Sequence, residues 1–311
     1  MTASRPSTLS LLERRLRMLT HCVVAEGGVY VRFLDNGDEI AINADAMMDT
    51  MSLIKVPLLV SLMRRVDRGE VDLGRRITLA EDQKRLGTGI LRYLEAGANF
   101  SLRDAAWLME AVSDNSATDI CLEAAGGVDA VNATTRQLGI EGIRMMGTAI
   151  DWFRALGGSI APELATLPPG ESARRGYPPL SAEGMADARA RYHFETGRPF
   201  SLGTSRVFGE LLSRIEAKTC ASAPSCDFIL EILSAQQLRD FMPRYVWGAA
   251  FAHKTGNFPP YISSDIGVAT PVRGSKVIIY LLTQRHNGAR GVIEDCLGRM
   301  TELVVLEAEG R

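Results

Sequence analysis

The chain has 311 residues, 46% hydrophobic and 23% charged, with a formal net charge of −2. That is enough apolar material for one domain with a full core, taken here as 1–311, and it leaves no charge excess to recruit nucleic acid or an anionic membrane surface. Met1 to Thr20 is polar and basic (Arg5, Arg14, Arg15, Arg17), without the apolar run of a secretory signal, and no stretch is long enough for a transmembrane helix. The expectation is a cytoplasmic location, or a periplasmic or secreted one if a leader has been removed.

Cysteines stand at 22, 121, 220, 226 and 296, an odd number without C-x-x-C spacing. Free, mostly buried thiols are expected, with Cys220 and Cys226 close enough in sequence to be bridged. The four histidines (His21, His193, His253, His286) have no i, i+4 partners, so neither a metal site nor a cofactor is implied.

In chain order, Ser10 to Leu19 spaces leucines between arginines and predicts an amphipathic helix. Cys22 to Leu34 and Glu39 to Ile42 flank Asn36-Gly37-Asp38 and predict a hairpin. The apolar run after Ser52 predicts a buried helix ending near Arg68-Gly69. Residues 70–145 read as mainly helical: Leu102 to Val112 with a capping-box start at Ser101 and Asp104, Ser116 to Ala125 stopped by Gly126-Gly127, and Val128 to Leu138 ending at Gly139. Residues 154–203 are rich in glycine and proline and read as a long loop with a short helix near Glu183 to Arg191. Helices follow at Thr204 to Ile215, Cys226 to Ser234 and Ala235 to Phe241. Strands follow at Trp247 to Thr255, Ile262 to Thr270 and Lys276 to Thr283, and a helix at Val292 to Glu307 closes the chain. Strands at both chain ends around a helical block imply an α/β (α+β) fold: a five-stranded antiparallel sheet from both ends, flanked by helices, with an inserted all-helical lobe. The expected division is a sheet lobe, 1–51 and 204–311, and a helical lobe, 52–203.

Three short stretches carry chemistry. Ser52 and Lys55, three residues apart at a helix start, share one face, so an amine reaches a hydroxyl amid unpaired backbone N–H groups. This arrangement makes a serine nucleophilic without histidine. Ser113-Asp114-Asn115 falls between two helices. Lys254-Thr255-Gly256 ends an apolar strand. Each alone has a plain structural explanation: a helix cap, an inter-helix turn, a strand end. Together, in this order and in these elements, Ser-x-x-Lys, Ser-Asp-Asn and Lys-Thr-Gly are the signature set of penicillin-recognising serine acyltransferases.

On these motifs the chain resembles class A β-lactamases and the wider group of serine hydrolases related to penicillin-binding proteins. The similarity extends through Ser113 to Gly127 and through Phe251 to Ala269; residues 154–203 match poorly. The resemblance implies that Ser52 attacks a carbonyl and is acylated, and that Lys55, near neutral through burial and other cations, takes or relays the proton. It implies further that Ser113 and Lys254 pass a proton to the leaving atom. Asn115, Thr255, Gly256 and Asn257 become substrate-binding positions, Thr255 with Lys254 for a carboxylate, Asn115 for Lys55 or a substrate amide. The backbone N–H groups of Ser52 and Asn257 would form an oxyanion hole. The implied partner is a small molecule: a β-lactam, an ester, or a small amide or peptide.

The chain departs from the family where class A enzymes carry Glu-x-x-Leu-Asn, whose glutamate activates the water that frees the acyl-enzyme. Aligned through Met146-Gly147-Thr148, the position holds Ala149, followed by Ile150-Asp151-Trp152-Phe153. Asp151, two positions late, is a possible replacement carboxylate; Glu141, Glu163 and Glu171 are weaker ones. The expectation is therefore a Ser52 that is acylated but releases a penicilloyl group slowly. The alternatives are a penicillin-binding protein that does not hydrolyse its adduct and a non-catalytic relic of the fold.

Overall fold

The computed structural model describes residues 8–176, 184, 187, 199–259, 261–286 and 289–311. The leucine-arginine pattern folds as helix α1 (Thr8–Val23). Strands β1 (Val24–Phe33) and β2 (Glu39–Ile42) pair antiparallel. The turn between them is closed by the Asn36 carboxamide, which accepts from the Asp38 N–H at 2.9 Å, and by Gly37 at φ +78°, open to a residue without a Cβ. A short strand β3 (Met48–Asp49) precedes helix α2 (Lys55–Asp67).

Strands β4 (Arg76–Thr78) and β5 (Asn99–Ser101) form a two-stranded sheet inside the stretch read as mainly helical, three residues each being too short for a period-2 signal. Three helices follow as expected: α3 (Leu102–Ala111), α4 (Asn115–Ala125) and α5 (Val128–Gln137). The Ser101–Asp104 capping box is present, and Gly126 ends α4 at φ +95°. After strand β6 (Arg144–Met145) comes helix α6 (Ala149–Ile160). It runs into the segment expected to be loop and carries Gly157 and Gly158 in its last turn, where a Cβ on either would crowd Leu164 or Ala165. Helix α7 (Pro169–Arg175) and strand β7 (Ser201–Gly203) also lie in that segment; the expected helix at Glu183 to Arg191 falls outside the described residues, Gly184 and Asp187 aside.

Helices α8 (Ser205–Glu216) and α9 (Ala223–Ser234) match expectation. Ala235 to Phe241 does not form a helix. The Gln236 carboxamide accepts from the Leu238 N–H at 3.0 Å and donates to the Glu110 carbonyl at 2.8 Å, and side-chain bonding of this kind diverts the backbone from a helix. Strands β8 (Ala249–Phe258), β9 (Ile262–Pro271) and β10 (Val277–His286) and helix α10 (Arg290–Glu309) complete the chain.

The main sheet is five-stranded and antiparallel in the order β2-β1-β10-β9-β8, so the two chain ends do build one sheet. Its central strand β10 is buried on both faces. Val277, Ile279 and Leu281 pack with α1 and α10, while Ile278, Tyr280 and Leu282 face the core shared with α2, α8 and α9. A strand apolar at both parities reads as a continuous run rather than an alternation. The edge strand β8 lies against the turn that leads into α2.

Candidate active site

Ser52 stands in a single 3₁₀ turn, Met51–Ile54, that runs directly into α2. At three residues per turn, positions i and i+3 eclipse, which sets the Ser52 and Lys55 side chains on one side. The turn is held from below by Asp49, a buried carboxylate that accepts from the N–H groups of Met51 (2.9 Å) and Phe200 (3.0 Å). The Ser201 hydroxyl donates to the Met51 carbonyl at 2.9 Å. Met51, at φ +48°, is fixed in a left-handed conformation by these bonds on both its backbone groups.

Lys55 is fully buried, and its Nζ donates to the Ser113 carbonyl (2.8 Å), the Ser113 hydroxyl (3.0 Å) and Asn115 Oδ1 (3.0 Å). The loop presenting these acceptors is shaped by its middle residue. Asp114 Oδ1 caps α4 through the Ala117 N–H at 2.9 Å, and Oδ2 accepts from the N–H groups of Ile90 (2.6 Å) and Leu91 (2.8 Å). Ser113 sits at φ +56°, while the Asn115 Nδ2 donates to the Leu86 carbonyl at 3.0 Å. Gly89 is required here, because a Cβ would meet the Asp114 carboxylate.

Lys254, on β8, is equally buried and donates to the Thr255 carbonyl at 2.7 Å. Gly256 lets β8 approach the Ser52 turn: a Cβ would lie 2.6 Å from the Thr50 carbonyl and 2.7 Å from the Ser264 hydroxyl. Above this floor opens a cleft of about 500 Å³ whose polar wall includes Ser52, Asn115 and Asn257. Part of the lining is aromatic. Trp152 packs edge-on against Phe153, Phe200 and Phe258 at 5.1, 6.0 and 5.1 Å, and all four line the cleft.

The motif residues thus fall into two layers. Ser52, Asn115 and Asn257 face the cleft, with Lys55 and Ser113 bonded to each other behind them, whereas Lys254, Thr255 and Gly256 are embedded in β8 and do not line the wall. Lys254 and Ser113 are not bonded to one another. Asp151 stands apart: its Oδ2 accepts from the Thr148 hydroxyl (2.6 Å) and N–H (3.2 Å) in the capping box that starts α6, and it does not line the cleft. A carboxylate committed to an exposed helix cap is poorly placed to activate water at Ser52. Glu141, Glu163 and Glu171 do not line it either; among the described residues no carboxylate does, and Ala149, at the first position of α6, does.

Burial sets the ionisation of this floor. Desolvation, then the Lys254 charge, bring the Lys55 amine well below the usual lysine range. Desolvation lowers Lys254 to about 8, opposed by Glu110 and Asp265. Glu110, buried on α3, is pushed up by desolvation to about 7 against the pull of both lysines, and Asp49 is raised to about 7 by desolvation. The raised carboxylates bind protons better folded than unfolded, so they weaken the fold as pH rises through the unfolded value near 4.5 toward 7. The lowered lysines bind protons better unfolded, so stability returns as pH rises above their folded values toward 10.5, for Lys254 from about 8. The melting temperature is accordingly expected to pass through a shallow minimum between pH 7 and 8, measured by calorimetry across pH 5–10. A single maximum there would contradict these ionisation states.

Sequence reasoning missed Glu110 and the aromatic wall. The first had a signal: Leu102, Ala105, Ala106 and Met109 mark the buried stripe of α3, and Glu110 continues it at i+8.

Residues 11–305 match the model of the beta-lactamase enzyme family, and the chain belongs to that family. It is similar to the beta-lactamase regulatory protein BlaB of Streptomyces cacaoi, 33% identical over 114 residues, 36% of either chain; the match spans about a third of that relative. In fold it is similar to a β-lactamase from Sphaerobacter thermophilus DSM 20745 (22% identity, 97% and 98% of the two chains, TM-score 0.75). It also resembles PBP-A, solved as a mutant in an acyl-enzyme complex with penicillin G (21% identity, 100% of both chains, TM-score 0.74).

Proposed function

We propose that the protein is a serine hydrolase acting through an acyl-enzyme on Ser52, taking a β-lactam or a related amide or ester, with slow release of the acyl group. The observation that carries this reading is the fully buried Lys55 amine, three residues on from Ser52 and bonded to Ser113 and Asn115 but not to the Ser52 hydroxyl itself. On losing one proton the desolvated amine keeps two N–H donors and gains a lone pair, which accepts the serine proton as the bond to the carbonyl carbon forms. Ser113, bonded to the same amine, is placed to return that proton to the leaving nitrogen or oxygen. Lys254, buried beneath the cleft floor, contributes positive charge that favours an anionic substrate group, and the aromatic lining favours a bulky apolar acyl group.

Release needs a second proton acceptor for water, and the cleft wall offers no carboxylate among the described residues. This favours an adduct that persists, and with it the second reading, a protein acylated by penicillin without turning it over.

The test is intact-protein mass spectrometry over time after mixing with benzylpenicillin, beside Ser52→Ala. A lasting adduct that requires Ser52 is the expected result. Rapid penicillin consumption with only a fleeting adduct would refute slow release, and an adduct that survives Ser52→Ala would refute the nucleophile.

A further inference from the structure

Glu110 lies at the end of α3, fully buried, and neither carboxylate oxygen has a hydrogen-bond partner among the described residues. Its side chain does not hold the local backbone together, because the contact to the neighbouring segment runs through its carbonyl, which accepts from Gln236. An ionisable group sealed from water without a donor is costly to the fold, so its charge calls for a role. The charged groups acting on it are Lys254 and Lys55, and it acts on both in return; the buried thiol of Cys121, on α4, also feels it.

The two lysines differ in what else surrounds them. Lys55 has three acceptors, set by the Ser113–Asn115 loop, whereas the Lys254 amine has the Thr255 carbonyl. Asp265, the other acid acting on Lys254, is already engaged by the His253 ring (2.9 and 3.1 Å) and the Met242 N–H (3.1 Å). Around Lys55, Asp114 is taken up by backbone N–H groups and Asp119 by Arg85 at 2.6 Å. In a low-dielectric floor, one anion balances one cation at far lower cost than it leaves a second cation unbalanced.

We propose that Glu110 is a positioning residue for the Ser52 chemistry: a counter-charge behind the cleft floor that keeps Lys254 cationic, so that Lys55 is the lysine left neutral and available as base. This rests on the reading of Ser52 as nucleophile, but its core, the charge on Lys254, is open to measurement without any substrate. Two consequences follow. The cation beneath the cleft floor survives to higher pH than burial alone would allow, and the fold is destabilised by a carboxylate it could do without.

The chain has five lysines, few enough to follow each by NMR of [13Cε]lysine-labelled protein, with Lys→Arg variants giving the assignment. In the wild type the Lys254 signal is expected to titrate near 8. In Glu110→Gln its midpoint should fall by at least about one pH unit, a tenfold loss of proton affinity, while Glu110→Asp, which keeps the charge, stays close to the wild type. Glu110→Gln should also melt higher at pH 8, and the alkaline limb of its benzylpenicillin acylation profile should move down with the lysine midpoint. An unchanged Lys254 midpoint in a folded Glu110→Gln protein would overturn the proposal. If benzylpenicillin leaves wild-type Ser52 unmodified, the nucleophile reading loses its support, yet the NMR titration still decides the Glu110–Lys254 relationship.

Discussion

Replacing Ala149 with glutamate is expected to speed release of the acyl group from Ser52 by roughly 10²–10³-fold, the usual contribution of a positioned general base. Ala149 lines the same cleft as Ser52 and is the first residue of α6, where a carboxylate is favoured by the helix dipole. The neighbouring acid, Asp119, accepts from the Ala149 N–H at 2.7 Å and the Ile150 N–H at 3.2 Å and pairs with Arg85. It orients the start of α6 without itself reaching the cleft. A second carboxylate beside it would feel like-charge repulsion, which raises its proton affinity toward the range useful in a base. Phe153, one turn on along α6, presents an apolar ring to the same cleft where the water needs a polar partner. Ala149→Glu combined with Phe153→Asn is therefore expected to exceed the single change. Protein pre-acylated with benzylpenicillin, freed of excess reagent and followed by mass spectrometry gives the release rate directly. An unchanged adduct lifetime in both variants would mean that release is not limited by a missing base.

What the sequence made legible was what local pattern specifies. Ser52, Lys55, Ser113 and Asn115 each sit in the short element expected of them, since a helix start and an inter-helix loop are specified by nearby residues. The sheet was legible for a related reason: the hairpin turn at Asn36-Gly37 and the long apolar runs of β9 and β10 each declare themselves within ten residues. What escaped was decided by distant partners. The helix expected at Ala235 to Phe241 is lost because the Gln236 side chain binds the carbonyl of Glu110, 126 residues away. Helix α6 forms in a glycine-containing stretch because close packing against Leu164 and Ala165 makes small residues necessary there. Asp151 looked available as a carboxylate in sequence, and only the fold reveals that Thr148 holds it at a helix cap. Glu110 was visible on its helical stripe, but its meaning depends on two lysines brought in from α2 and β8.

The second large effect concerns the base. Lys55→Met keeps the volume and apolar stem of the side chain while removing the amine, and it is expected to slow acylation of Ser52 by about 10²–10⁴-fold. The wild-type acylation rate should rise with pH as the Lys55 amine loses its proton, and this limb should vanish in the variant. Stability gives an independent check. In the folded wild type, burial and the Lys254 charge hold the Lys55 amine well below the ordinary lysine range, so the unfolded chain binds the extra proton. Part of the wild-type gain in stability between neutral pH and about 10.5 comes from relieving that difference, and Lys55→Met should show a flatter rise of melting temperature over the same interval. The Ser113 carbonyl keeps a donor in the Thr88 hydroxyl at 2.8 Å, which limits the damage to the loop, while the Ser113 hydroxyl and Asn115 Oδ1 lose theirs. An acylation rate above about a tenth of wild type, with the pH limb intact, would remove Lys55 from the role of base. The flattened stability curve would then persist without its kinetic counterpart, separating the burial of this amine from its use.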